Sequence, residues 1–186
     1  MHLPTLLLAA ASATLALASP TGQKSCHSST RAIAHITPDP TYNATTVSGT
    51  VTLTQKRSSP HVTLNLHLTG LAPGLHGFHV HANGVIAPNC TAAGPHFNPH
   101  NVTHGGPDST VRHVGDLGNV RASAGGEVKV TIVDGIVKLV GDVDNIVGKA
   151  IVIHALEDDL GLGNATTSKT TGNAGARVAC GVITLV

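Results

Sequence analysis

The sequence predicts an all-β chain, an antiparallel sandwich or barrel, and three observations carry that prediction. Apolar and polar residues alternate through many short runs after residue 30. Gly and Pro clusters such as GLAPG at 70–74 punctuate the runs. No helical period persists for three turns. The length suits one domain. With no Trp, one Tyr and two Phe, its core must be built from Val, Ile, Leu and Ala.

Taken in order, residues 1–18 (MHLPTLLLAAASATLALA) are apolar, uncharged and end in Ala16-Leu17-Ala18, the pattern of a cleaved signal peptide. They are too short and too early for a membrane span, and no later apolar stretch is long enough for one. Residues 19–29 are expected to form a flexible N-terminal segment, and 30–186 the folded domain. Strand candidates follow at 31–36, 47–54 (VSGTVTLT), 61–69, 76–82, 117–122, 127–133 (EVKVTIV), 150–154 and 178–185. The clearest is HVTLNLHLT at 61–69, where Val62, Leu64, Leu66 and Leu68 share one face and His61, Thr63, Asn65 and His67 the other. Two segments, 83–116 and 155–177, resist strand assignment. Loops that long in a compact domain are usually functional or disordered, and the ligands in the first give it a reason to be ordered.

The first of these loops carries most of a histidine constellation: His79-x-His81, then His96-x7-His104-x8-His113-x2-Asp116, completed by His154. Residues two apart on a strand share a face, so His79 and His81 can grip one ion from a rigid strand. The Gly-, Pro- and Asn-rich loop after them can fold His96, His104, His113 and Asp116 around a second ion. Three imidazoles and a carboxylate form a closed tetrahedral set that suits zinc. A set made only of imidazoles suits copper as well, so two different metals are expected. His35, His61, His67 and His100 read as surface residues, and His76 has no assigned role.

Several long motifs stand in order around these ligands: GFHVH, AGPHFNP, HGGP, RHVGDLGNV, HALEDDL and TGNAGARVACGVI. From about Thr30 onward the chain therefore resembles the copper/zinc superoxide dismutases. The resemblance implies an eight-stranded antiparallel Greek-key barrel, an immunoglobulin-like sandwich, with two long functional loops. It implies copper on His79, His81, His96 and His154, and zinc on His96, His104, His113 and Asp116, with His96 bridging. It implies conversion of two superoxide anions to dioxygen and hydrogen peroxide by Cu(II)/Cu(I) cycling. In that reaction His96 carries a proton, and Arg177 docks the anion with its permanently charged, multi-donor guanidinium. Asp158 would link the free ring nitrogens of His79 and His104 and fix their orientation. An extracellular copper/zinc buffer of the same fold is the second reading, disfavoured because Arg177 and the bridging His96 are both kept.

Three cysteines in an oxidising compartment leave one disulfide and one residue over. Spacing alone leaves all three pairings open, and the resemblance selects Cys90 with Cys180. Cys26 is then free, capped or paired with another chain. Secretion agrees with four N-glycosylation sequons, at Asn43, Asn89, Asn101 and Asn164. A net charge of +1 without a basic run or aromatic platform argues against a nucleic-acid partner. The resemblance also implies a homodimer through a surface that includes the start of the loop after HVH. Here that stretch is Ala82-Asn83-Gly84, with no aromatic anchor, and the Asn89 sequon lies further along. A weakened dimer is the expectation. Where many family members carry acids in the second loop, this chain has Asn164, Ala165, Thr166 and Thr167, with Lys169 nearby.

Overall fold

A computed structural model describes residues 29–42, 46–141 and 143–186. The expected signal peptide, Cys26 and the Asn43 sequon lie outside the described residues. The eight strands are β1 (Ser29–Pro38), β2 (Ser48–Lys56), β3 (Val62–Thr69), β4 (Gly74–His81), β5 (Asp116–Ala122), β6 (Val128–Asp134), β7 (Ala150–His154) and β8 (Arg177–Leu185). Helical structure among the described residues is limited to a 3-10 turn at Cys90–Ala93 and a single α-helical turn, α1, at Ser168–Thr171.

Every strand pair is antiparallel, in the order β5-β4-β7-β8-β1-β2-β3-β6, and the edge strands β5 and β6 approach to close the barrel nearly completely. The non-consecutive neighbours β3–β6 and β4–β7 make it a Greek key. Period-2 patterning selects the inward face: Val62, Leu64, Leu66 and Leu68 are buried, while Asn65 and His67 are exposed. They join Val51, Leu53, Phe78, Ile151, Ile153 and Ile183 in one core. Each such side chain contributes about 1.5–3 kcal/mol on burial.

Two departures from simple alternation have physical causes. Val130 stands opposite buried Leu66 yet is 40% exposed, because β6 has β3 as its only hydrogen-bonded neighbour and the seam toward β5 is open. In a third long connection, 135–149, the described residues bury Val137, Leu139 and Ile146 in the core although none of them belongs to a strand. The Leu139 N–H donates to Gln55 Oε1 at 2.7 Å, fastening this connection to β2.

β4 is the strand that positions the site. From His76 onward both of its faces are buried. Phe78 and Val80 enter the core, while His79 and His81 lie beneath the two long loops. Gly77 is required there: a Cβ would stand 2.8 Å from Ala174 Cβ and 3.0 Å from His79 Cε1. Its N–H donates to Leu156 O at 2.9 Å, so the second loop lies directly on the strand.

Candidate metal centre

The strands bring all the predicted ligands together. One group, His79, His81, His96 and His154, and a second, His96, His104, His113 and Asp116, each offer ligand atoms within 4.8 Å of one another. All seven residues are buried, and His96 belongs to both groups. β4 contributes His79 and His81, β7 ends on His154, and β5 begins on Asp116 opposite His79. The 83–116 loop supplies the rest. It returns to β4 through an isolated bridge between His81 and His96 and through the hydrogen bonds Phe97 N to Val80 O (2.8 Å) and Val80 N to Gly115 O (2.9 Å).

Partners on the far side of each ring determine which nitrogen remains. His79 Nε2 meets Asp158 Oδ2 at 2.7 Å, His81 Nδ1 meets Gly94 O at 2.8 Å, and His154 Nδ1 meets Gly175 O at 3.1 Å. His96 Nδ1 meets Asp116 Oδ1 at 2.8 Å. This leaves His79 Nδ1, His81 Nε2, His96 Nε2 and His154 Nε2 facing one point. His79 Nδ1 and His96 Nε2 are buried with no hydrogen-bond partner, and His81 Nε2 lies 3.4 Å from His154 Nε2. Buried polar atoms without partners are costly, and a cation at this point would resolve that cost.

In the second group three ring nitrogens converge on one carboxylate. The Nδ1 atoms of His96, His104 and His113 lie 2.8, 3.0 and 3.1 Å from Asp116 oxygens. The carboxylate also accepts the N–H groups of His113 at 2.8 Å and Gly105 at 3.2 Å. Three nitrogens and an oxygen fit a closed zinc site. Asp158 spans the groups, its second oxygen 2.9 Å from His104 Nε2. Asn119 holds Asp158 in place by exchanging hydrogen bonds with its backbone N–H and C=O, both at 2.8 Å. Gly172, at φ +64°, lets the second loop cover this carboxylate, since a Cβ there would stand 1.8 Å from Asp158 Oδ1.

The electrostatics follow from burial against pairing. Burial, reinforced by neighbouring imidazoles, holds His81 and His154 well below the ordinary histidine value. Burial and His79 bring His96 down to about 4, against the pull of Asp116. Burial also opposes the charge on His104, but hydrogen bonds to Asp116 and Asp158 outweigh it and raise this ring to about 9. Burial pushes both carboxyls up, and their histidine hydrogen bonds more than reverse that, so Asp116 and Asp158 stay below the usual carboxylate range.

These shifts predict how stability of the metal-free protein depends on pH. Between about 4 and 6.5 the unfolded chain binds the His96 proton and the folded one does not, so stability falls on acidification. Between 6.5 and about 9 the folded chain holds the His104 proton that the unfolded one has lost, so stability falls as pH rises. Calorimetry of the metal-stripped protein from pH 4 to 9 should show a maximum near 6.5. A melting temperature that changes in one direction throughout would contradict these assignments.

Four contributors escape the sequence reading. His76 is buried, with Nδ1 2.8 Å from His154 O and Nε2 2.8 Å from Ala72 O, so it ties the end of β7 to the entry of β4. Strand alternation carried that signal, because His76 shares the inward face with Phe78 and Val80. Asn119 stands within a quoted motif, three residues after a ligand. Arg112 and Asp134 form a buried ion pair that fastens the first loop to β6. Asp134 Oδ1 also accepts the Ile136 and Val137 N–H groups at 2.7 and 2.9 Å.

Arg177, opposite His154 across a register shift between β7 and β8, is half-buried. Its Nη1 donates to Cys90 O at 2.8 Å and Thr91 O at 3.1 Å, and Nη2 donates to Gly94 O at 2.6 Å. Cys90 and Cys180 form the disulfide that the resemblance selects. Asn89 is half-buried and accepts the Thr91 N–H at 3.0 Å, while Asn101 and Asn164 are exposed. A cavity of about 1010 Å³ opens over His96 and His113, lined also by Lys149 and Lys169 and by no carboxylate side chain; Arg177 is not in its lining.

A Greek-key barrel with two four-ligand sets sharing one imidazole defines a protein built for a pair of metal ions. The chain belongs to the copper/zinc superoxide dismutases: the family model "Copper/zinc superoxide dismutase (SODC)" matches residues 47–183. It is 49% identical over 153 residues to "Extracellular superoxide dismutase [Cu-Zn]" of Drosophila melanogaster, covering 82% of this chain and 84% of that protein. Similarity to the protein of the same description from Haemonchus contortus is 55% identity over 122 residues, 66% of each chain.

Proposed function

We propose that this protein is a secreted superoxide dismutase. Copper would be held by His79, His81, His96 and His154, and zinc by His96, His104, His113 and Asp116. The single observation that carries the assignment is the free nitrogens of four buried imidazoles facing one point, beside a second set that includes a carboxylate. Bound copper supplies one-electron redox chemistry, and zinc has none to supply. The chain's own residues do the rest. Asp158 and Asp116 fix the rings so that each presents one nitrogen, and His96 Nε2 is the atom that would hold and deliver a proton. Arg177 docks the anion, its guanidinium aimed by three carbonyls.

The cavity beside the second ligand set carries basic side chains and no acids. His96, His113, Lys149 and Lys169 are the ionisable residues lining the adjoining cavity, and the Lys149 ammonium stands 4.0 Å from the centre of the Phe97 ring. Superoxide decay by the metal-replete protein is expected to be fast and salt-sensitive, and Arg177→Ala to slow it about 10- to 1,000-fold. Decay no faster than in buffer, at full copper loading, would leave a metal buffer as the better account.

The descriptions of both relatives as extracellular support secretion, as do exposed Asn101 and Asn164 as glycan attachment points. No helix among the described residues is long and apolar enough to cross a membrane. The homodimer is expected to be weak, because Asn83 and Val85 are exposed where no aromatic residue anchors a partner and Asn89 follows in the same loop. Sedimentation of the glycosylated and enzymatically deglycosylated protein checks this. A tight dimer in both forms would refute it.

A further inference from the structure

Asp39 follows β1 in the turn Pro38-Asp39-Pro40-Thr41, a charged residue between two prolines. It is nevertheless only 3% exposed. Its N–H donates to Val178 O at 2.9 Å, which pins it beside the residue that follows Arg177. One oxygen of its carboxylate bonds within its own turn and the other reaches the first long loop. Oδ1 accepts Thr41 N at 2.7 Å and Thr41 Oγ1 at 2.5 Å, and Oδ2 accepts Cys90 N at 2.7 Å. Cys90 in turn gives its carbonyl to Arg177. A closed ring of bonds therefore runs from Arg177 through Val178, Asp39 and Cys90 back to the guanidinium.

We propose that Asp39 is a positioning residue for anion docking: it fixes the Cys90–Gly94 turn whose carbonyls aim Arg177, and it sets a buried negative charge behind that cation. The proposal rests on Arg177 as the docking group. The disulfide holds Cys90 by its side chain, and the turn's own bonds, Ala92 N to Asn89 O at 3.1 Å and Thr91 N to Asn89 Oδ1 at 3.0 Å, shape it locally. The Asp39 carboxylate adds the bond that ties the N–H of Cys90 to the end of β1, and the guanidinium takes the carbonyl on the other side. Without Asp39 the Cys90 N–H would be a buried donor without a partner, a situation that shifts backbone until it is relieved. The charges support each other too. Burial raises the Asp39 carboxyl, but hydrogen bonds from Thr41 and Cys90 and the nearby Arg177 charge hold it below its ordinary value. Burial lowers the Arg177 guanidinium, and Asp39 opposes that.

The test is a double-mutant cycle on the metal-replete protein, reading superoxide decay and the affinity for azide, a small monoanion followed through the copper visible spectrum. Asp39→Ala should weaken azide binding and slow decay by about tenfold, the loss expected when a fixed charge no longer faces its anion. In an Arg177→Ala background the same change should leave both readouts within about twofold, because nothing remains to be aimed. Asp39→Asn keeps one oxygen acceptor and should recover part of the loss; it also serves the cycle if the alanine variant does not fold. Equal losses with and without Arg177, or a lower melting temperature with unchanged azide affinity, would make Asp39 a merely structural residue and overturn the proposal. If Arg177→Ala alone changes neither readout, the docking role of Arg177 falls first, and this failure is separate from that of Asp39.

Discussion

Asp116→Ala should empty the second ligand set of zinc and lower the stability of the metal-free fold by about 3–5 kcal/mol, the cost of breaking a buried charged cluster by removing one partner. The magnitude follows from what the carboxylate holds. Three imidazole nitrogens lie within 3.1 Å of it, and two backbone N–H groups from different parts of the first loop donate to it. Alanine leaves all five without the anion they converge on. For a domain of this size the melting temperature should drop by roughly 10 °C. Asp116→Asn separates the causes: it keeps the volume and one acceptor, so less stability is lost, but zinc retention still collapses because the ligand is no longer anionic. Metal analysis and calorimetry on the two variants check this, and full zinc content in either would contradict the assignment.

Most of the frame was legible because its causes are local. The alternation in 61–69 places β3 to within a residue, and a His-x-His pair on a strand can present both rings only to one face. What stayed hidden depends on partners far away in sequence. Asp39 reads as a turn residue between two prolines until Cys90, 51 positions later, arrives on its carboxylate. The Asp158 link between ligands was reached only through family resemblance, since its contacts span 79 and 54 positions. Residues 135–149 have no strand period because Val137, Leu139 and Ile146 fill the core from outside the sheet. His76 obeys a local rule. The same alternation that places His79 and His81 outward turns His76 inward.

Replacing Cys90 and Cys180 together with serine should cost about 4–5 kcal/mol, because the bond closes a segment of 90 residues and its loss returns that loop entropy to the unfolded chain. A fall in melting temperature of roughly 10–15 °C follows for a domain of this size. The sulfur atoms sit in their own buried cluster with Ala93, Ala150 and Val152, so the serine hydroxyls would also be buried among apolar neighbours. The effect on function is separable. The backbone of Cys90 keeps its bond to Asp39 and its carbonyl keeps facing Arg177, since neither interaction uses sulfur. If melting falls but azide affinity holds, the carboxylate is enough to keep the turn in register and the disulfide serves stability alone. If both fall, the turn needs two anchors, one on its side chain and one on its peptide. Unchanged melting under non-reducing conditions would mean that the unfolded chain is already compact enough to make the bond redundant.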